Sequence, residues 1–169
     1  STLLRLLLGV YKDFSGTLPI NGLPIGNYNL QSVRENTGIV FEQENIFHGT
    51  LMENISFGRS DIDMMHIAWL AGQVGLQSFV ASLPYGYDTG LEPTGKRLPR
   101  NVVQKILLVR ALAHKPRLLV MEEPWQDIED QYTNQIQNLL LSLPNTTVII
   151  ATRNKTFAER CTQNIHLTL

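Results

Sequence analysis

Residues 118–124 read Leu-Leu-Val-Met-Glu-Glu-Pro, an apolar run followed directly by two carboxylates and a proline. A short apolar run of this kind predicts a buried strand, which we place at residues 117–121. Residues 147–151 predict a second buried strand, and apolar residues at helical spacing between 128 and 143 separate the two. Two buried strands joined by a helix indicate a parallel crossover, so the sequence predicts an α/β fold.

The acidic pair Glu122 and Glu123 is the strongest candidate functional feature. In open α/β sheets, ligands bind in the crevice at the carboxyl ends of the strands. A carboxylate pair at that edge can hold Mg²⁺ and orient an attacking water molecule. The alternative is a charged exit from a strand without any ligand, and the residues alone leave both interpretations open.

The remaining elements predict one domain, because no repeat or linker-like tract divides the chain. Helices are expected over residues 2–10 and 104–114, and a buried strand over residues 37–41. Ser60 is the expected N-cap of a further helix, in which Met65 and Trp69 share a face and form core or a subunit contact. Asn21 and Gly22 form a strong turn dipeptide.

Composition excludes several classes of protein. The chain has 169 residues, with 14 Lys and Arg against 15 Asp and Glu, so its net charge of -1 gives no electrostatic basis for a nucleic-acid partner. No apolar run approaches the roughly 20 residues that cross a bilayer. The single cysteine, Cys161, cannot form an internal disulfide.

Several segments, taken in their order, resemble the nucleotide-binding domains of ABC transporters, particularly exporters. Residues 1–9 (STLLRLLLG) resemble the end of a Walker A motif and its helix, and residues 83–89 (LPYGYDT) match the stretch before the signature motif. The other matching segments are 16–25 (GTLPINGLPI), 40–55 (the Q-loop region), 110–112 (RAL), 122–124 (EEP) and 147–153 (TVIIATR). Each motif is weak alone, but their order is specific.

The resemblance implies a P-loop NTPase fold of the ABC ATPase type, with a mainly parallel sheet flanked by helices and a helical subdomain at about residues 58–112. Residues 1–169 would form a partial ATP-binding domain that begins inside the phosphate-binding loop, with ATP and Mg²⁺ as cofactors. Its implied partners are a second ABC ATP-binding domain, identical or different, and a transmembrane domain, which the 31–57 segment would face. The implied location is the cytoplasmic side of a membrane.

The resemblance also assigns site residues. The implied catalytic residues are Glu123 and Arg153; the implied nucleotide-binding residues are Ser1, Thr2, Glu42, Gln43, Glu122, Leu98, Pro99, Arg100 and Asn101; the implied Mg²⁺ ligands are Ser1, Glu42 and Glu122.

Several of these residues depart from the family pattern. Glu42 stands where the family has the Q-loop glutamine. Pro99 lacks an N–H and Arg100 adds a side chain where the signature backbone must approach phosphate. Arg153 replaces the switch histidine and cannot accept a proton. We therefore predict an ATP-binding domain with impaired hydrolysis, and whether it is an enzyme stays open. The alternatives are a non-hydrolysing regulatory half and, less favoured, a soluble ATPase of the DNA-repair type.

Overall fold

The computed structural model describes residues 2–11, 14–42, 45–92 and 98–167. Its helices are α1 (Thr2–Leu7), α2 (Leu30–Glu35), α3 (Leu51–Ser56), α4 (Met64–Gln73), α5 (Gln77–Ser82), α6 (Arg100–Ala113), α7 (Asp130–Ser142) and α8 (Lys155–Ala158). Its strands are β1 (Pro19–Ile20), β2 (Leu23–Pro24), β3 (Thr37–Val40), β4 (Gly49–Thr50), β5 (Gly90–Leu91), β6 (Leu118–Glu122) and β7 (Thr147–Ala151).

The main sheet is parallel and has the strand order β3-β6-β7. Glu122, the last residue of β6, pairs with Ala151, the last residue of β7. Helix α7 connects the two strands, so the predicted parallel crossover and α/β fold are confirmed. The predicted strand at 147–151 has the observed bounds, whereas the one predicted at 117–121 lies one residue later, because Arg117 precedes the ladder.

Helix α1 covers one face of this sheet. Leu4 and Leu8 pack with Phe41 and Val120 in a small apolar cluster, whereas Leu119 and Met121 belong to the larger core on the opposite face. Side chains alternate between faces along a strand. The position of Glu122 therefore lies on the same face as Val120, which is the face that carries α1.

The direction of α1 follows from its contacts. The guanidinium of Arg5 lies 6.0 Å from the ring centroid of Phe41, just after the carboxyl end of β3. Leu8 and Val10, beyond the end of α1, line a groove with residues 37–39 at the start of the same strand. Helix α1 thus runs antiparallel to the strands, and its first turn lies towards their carboxyl ends.

Helix α6 forms the centre of the larger core. All of its residues from Lys105 to Ala113 are buried. The helix packs so closely on β3 that a side chain at Gly38 would overlap the backbone carbonyl of Ala111. A residue without a Cβ is needed at this position, and the Gly38 position thereby fixes the spacing between helix and sheet.

Two helix starts differ from the expectation. Asp63 caps α4 by accepting the N–H of Met65 at 2.9 Å, so Ser60 is not the cap. Helix α6 begins at Arg100, four residues before the predicted start at residue 104. Pro99, immediately before it, has the fixed φ of proline and an extended backbone, which places the helix start at the next residue.

The remaining expectations concern one helix face and one turn. Met65 and Trp69 are 81% and 48% exposed, which excludes the core role that their spacing suggested. The turn at Asn21 and Gly22 is confirmed, since it joins β1 to β2 and both residues have positive φ. No helix within the described residues is long and apolar enough to cross a bilayer.

Candidate functional site

The carboxyl edge of the parallel sheet brings together one predicted site residue from each strand. Glu42 follows β3, Glu122 ends β6, and Arg153 follows β7 by two residues. Glu42 and Arg153 are exposed, and Glu122 is half-buried. The sheet therefore places two carboxylates and one guanidinium at the edge towards which the first turn of α1 points.

Glu123 is held against the end of β7. Its backbone has a φ of 41°, and its Oε2 accepts the Thr152 hydroxyl at 2.9 Å while its Oε1 accepts the Arg153 N–H at 2.5 Å. Its own N–H donates to the carbonyl of Ala151 at 2.9 Å. The carboxylate is therefore fixed in orientation, and its remaining lone pairs can still accept a hydrogen bond from water.

Thr152 was not among the predicted site residues. Its hydroxyl also accepts the N–H of Asn154 at 3.0 Å, so one side chain joins the turn after β7 to Glu123. A threonine after a strand carries no distinctive sequence signal. Only the parallel pairing of β6 with β7 reveals this role, because that pairing brings the two strand ends side by side.

The segment of residues 98–101 contacts the loop that follows β6. The Arg100 Nε lies 3.3 Å from the Asp127 carboxylate, and the Asn101 amide donates to Glu129 Oε1 at 2.9 Å. Pro99 is the N-cap residue of α6 and makes no side-chain capping bond, and Leu98 is half-buried. Two of the predicted nucleotide-binding side chains are thus already paired within the same chain.

Lys105 and Glu129 form a second link between α6 and this loop. The side chain of Lys105 is only 6% exposed, and its Nζ lies 2.7 Å from Glu129 Oε2. The same ammonium donates to the Gly75 carbonyl at 3.2 Å and lies 4.8 Å from the Tyr132 ring centroid. A buried ammonium needs such partners, because leaving it unpaired costs several kcal/mol, roughly 3–5 when one member of a buried pair is removed.

The hydrogen bond from Lys105 lowers the pKa of Glu129, with smaller contributions from its own backbone and Asn101, against desolvation that raises it. A pKa that is lower in the folded state than in the unfolded state stabilises the fold above the unfolded value of about 4.5. That contribution is lost as the pH falls through the folded-state value.

We expect Glu129→Gln to weaken the acid sensitivity of the fold. The wild type should lose more stability than the variant between pH 7 and pH 3, because only the wild type has this carboxylate to protonate. Urea unfolding at the two pH values measures the difference, with Glu159→Gln as an exposed control. Equal losses in the wild type and in Glu129→Gln would contradict the assigned link.

The residues at the sheet edge fit Mg²⁺ held with a phosphate. Carboxylate oxygens are suitable ligands, and Mg²⁺ is usually bound by one or two carboxylates together with substrate phosphates and water. Within the described ranges, no three His, Cys, Asp or Glu side chains form a ready metal cluster. Thr2 is exposed at the start of α1, while Ser1 and Gln43 lie outside the described residues.

Comparison with known proteins identifies the family to which the chain belongs. The family model described as ABC transporter matches residues 1–126. The chain is 34% identical over 158 residues to the ATP-dependent lipid A-core flippase of Saccharophagus degradans, covering 92% of this chain and 27% of the relative. It is 35% identical over 164 residues to a multidrug efflux ATP-binding/permease protein of Mycobacterium bovis, covering 95% of this chain and 14% of the relative.

A solved structure of a bacterial Atm1-family ABC exporter with ATP bound is similar in fold. The TM-score is 0.81 at 28% sequence identity, over 94% of this chain and 28% of that one. The chain thus spans about a quarter or less of the length of the relatives that it matches.

Proposed function

The chain belongs to the ABC transporter family, and we propose that it forms most of the ATP-binding domain of an exporter-type member, which couples ATP binding to transport across a membrane. The observation that carries this proposal is the carboxyl edge of the sheet, where Glu42, Glu122 and Arg153 follow or end the three strands and towards which the first turn of α1 points. The predicted P-loop NTPase fold of the ABC ATPase type is confirmed, and the helical subdomain at about residues 58–112 is part of the same proposal.

At this edge, each residue has a role that its chemistry allows. We assign Glu122 and Glu42 to Mg²⁺, which would neutralise phosphate charge when bound, and Thr2 with Ser1 to the phosphate and metal through their hydroxyls. Arg153 supplies a permanent positive charge beside the terminal phosphate. Gln43 would contact the nucleotide from the same loop as Glu42.

Glu123 is the proposed general base. Thr152 and the Arg153 N–H orient its carboxylate, so that a free lone pair can accept a proton from an attacking water. A general base positioned in this way contributes about 10²- to 10⁴-fold to a rate. The family's switch histidine could share the proton, but Arg153 cannot, and this favours slow hydrolysis.

A second ATP-binding domain is the proposed partner for the segment of residues 98–101. In that arrangement Leu98, Pro99, Arg100 and Asn101 would face the nucleotide of the opposite domain. Arg100 and Asn101 contact Asp127 and Glu129 within the same chain, so a phosphate would have to compete with these contacts. This observation favours the alternative function, a regulatory half that binds ATP without hydrolysing it.

A transmembrane domain is the second proposed partner, and a groove of about 520 Å³ supports its position. Four of the residues that line this groove belong to the segment expected to face the membrane domain: Gln31, Arg34, Asn45 and Phe57. Phe57 is 61% exposed, a large apolar residue that a partner would cover. The domain would then lie on the cytoplasmic side of the membrane.

Binding of Mg-ATP to the full-length protein tests the proposed site. We expect Glu122→Ala to weaken Mg-ATP binding by at least about tenfold, because it removes a proposed ligand of the metal. Equilibrium dialysis with and without Mg²⁺ measures the effect. Glu35→Gln, at the opposite end of β3, should leave the affinity unchanged. If Glu122→Ala and the control bind Mg-ATP equally well, the proposed site is wrong.

A further inference from the structure

A groove of about 690 Å³ lies at the edge of the sheet opposite to the acidic pair. Its floor and walls include Arg117 and Thr146, which immediately precede β6 and β7. Arg117 and Glu123 are six residues apart along an extended strand, which separates them by about 20 Å at roughly 3.3 Å per residue. The groove is therefore distinct from the proposed nucleotide site.

Apolar side chains form the body of this groove. Helix α4 contributes Trp69 and Leu70, the end of α6 contributes Leu112, and the turn before β7 contributes Leu143. Trp69 remains 48% exposed, with its ring stacked on that of His66 at 5.8 Å between centroids. An exposed indole beside a concave apolar surface is a feature of small-molecule sites, and the volume lies within their usual range of roughly 300–1,000 Å³.

The rim of the groove is positively charged. Lys115 and Arg117 both line it and are both exposed. In the part of the chain that the structure describes, no carboxylate lines the groove, and neither cation forms an ion pair. The electrostatics of this rim therefore complement a negatively charged group.

Lys115 has a left-handed backbone conformation. Its φ is 49°, and its N–H donates to the carbonyl of Leu112 at 3.0 Å as the chain leaves α6. Glycine is the usual residue at such a left-handed helix end, and a side chain there has an energetic cost. A lysine therefore occupies a position that would favour glycine, and it lines the groove.

We propose that this groove binds an amphipathic organic anion, whose apolar body lies against Trp69 and Leu143 and whose carboxylate, sulfonate or phosphate pairs with Lys115 and Arg117. The apolar contacts with the ligand come from α4 and from the turn before β7. The ligand therefore bridges the helical part of the chain and the sheet. This site does not depend on the proposed ATP site.

Two fluorescent probes test the proposal on the purified chain: the anion 8-anilinonaphthalene-1-sulfonate and its neutral analogue N-phenyl-1-naphthylamine. We expect the anion to quench tryptophan emission by energy transfer. The Trp69→Phe variant should lose most of this signal, because energy transfer weakens steeply with distance and the other tryptophan, Trp125, follows the acidic pair at the opposite edge of the sheet.

The charge requirement is tested with Lys115→Gly combined with Arg117→Gln. Glycine relieves the left-handed backbone, so this variant removes the charges without straining the fold. We expect its dissociation constant for the anion to rise at least tenfold, and its affinity for the neutral probe to stay within about twofold, since apolar contacts remain. Lys155→Gln, which removes an exposed charge on α8, should change neither probe.

The result that would overturn the proposal is an anion affinity that is unchanged in the double variant, or lowered equally in Lys155→Gln. Equal loss of both probes in the double variant would also overturn it, because the charges would then not be the recognition element. In the full-length protein, Mg-ATP should not displace the anion. Displacement would assign the signal to the nucleotide site and reject the separate groove.

Discussion

Replacing Arg110 with methionine is expected to lower the free energy of unfolding by about 3–5 kcal/mol, because each buried acceptor left without a donor costs about 1–3 kcal/mol. The guanidinium is buried in α6, where its Nε donates to the Asn54 carbonyl at 2.6 Å and its terminal nitrogens donate to Asn54 Oδ1 at 3.1 Å and the Asn45 carbonyl at 3.2 Å. Methionine fills the space but leaves the Asn54 and Asn45 carbonyls without this charged donor, whereas Asn54 Oδ1 still accepts the Phe47 N–H.

The effect should extend beyond the lost hydrogen bonds. Arg110 lies 5.7 Å from the Phe47 ring centroid and 4.8 Å from that of Phe57, and the two rings stack at 5.9 Å. Asn54, which Arg110 contacts, also accepts the Phe47 N–H at 2.9 Å. The substitution therefore loosens the segment that carries Phe57, which we propose faces the transmembrane domain.

Urea denaturation and thermal unfolding measure the effect. A loss of this size corresponds to a fall in melting temperature of roughly 10 °C for a domain of this length. Arg110→Lys keeps the charge and should lose less, whereas Arg34→Met, at an exposed position, should change stability by under about 0.5 kcal/mol. A melting temperature for Arg110→Met within 2 °C of the wild type would show that the buried network contributes little.

The sequence predicts the fold from elements whose signal is local. Strands β6 and β7 come from continuous apolar runs, and the dipeptide Asn21-Gly22 by itself predicts the turn between β1 and β2. The start of α4 was misplaced because Ser60 and Asp63 are both good capping residues. Which of them caps depends on where the buried residues of α4, such as Ile67, must meet the core.

The candidate site is predicted less completely, because its contacts join residues distant in sequence. Glu122 and Glu123 are visible as an acidic pair, but the bonds of Glu123 with Thr152 and the Arg153 N–H join positions about 30 residues apart. Lys105 and Glu129 are likewise linked only by packing between α6 and the loop before α7. No local pattern distinguishes such a pair from two solvated charges.

Glu123 has two possible roles: it can act as a general base, or it can cap the turn after β7. The substitution Glu123→Gln separates these roles. In Glu123→Gln, the amide oxygen can still accept the Arg153 N–H, and the Thr152 hydroxyl can reverse to accept from the amide nitrogen. The cap is therefore retained, but the side chain can no longer take a proton from water. For a base, we expect the ATP turnover of the full-length protein to fall at least about 100-fold, with little change in ATP binding.

Thr152→Val provides the comparison, because it removes one of the two hydrogen bonds that orient the carboxylate while leaving its charge. Turnover should fall by less than in Glu123→Gln, since a base in a poorer orientation still accepts protons.

The 169-residue chain alone should show negligible turnover, because its sequence contains no glycine-rich loop with a following lysine. If Glu123→Gln does not change ATP turnover in the full-length protein, Glu123 is not the base and only caps the turn after β7. ATP binding without measurable turnover in the wild type would favour the regulatory half, whose paired Arg100 and Asn101 already suggest it.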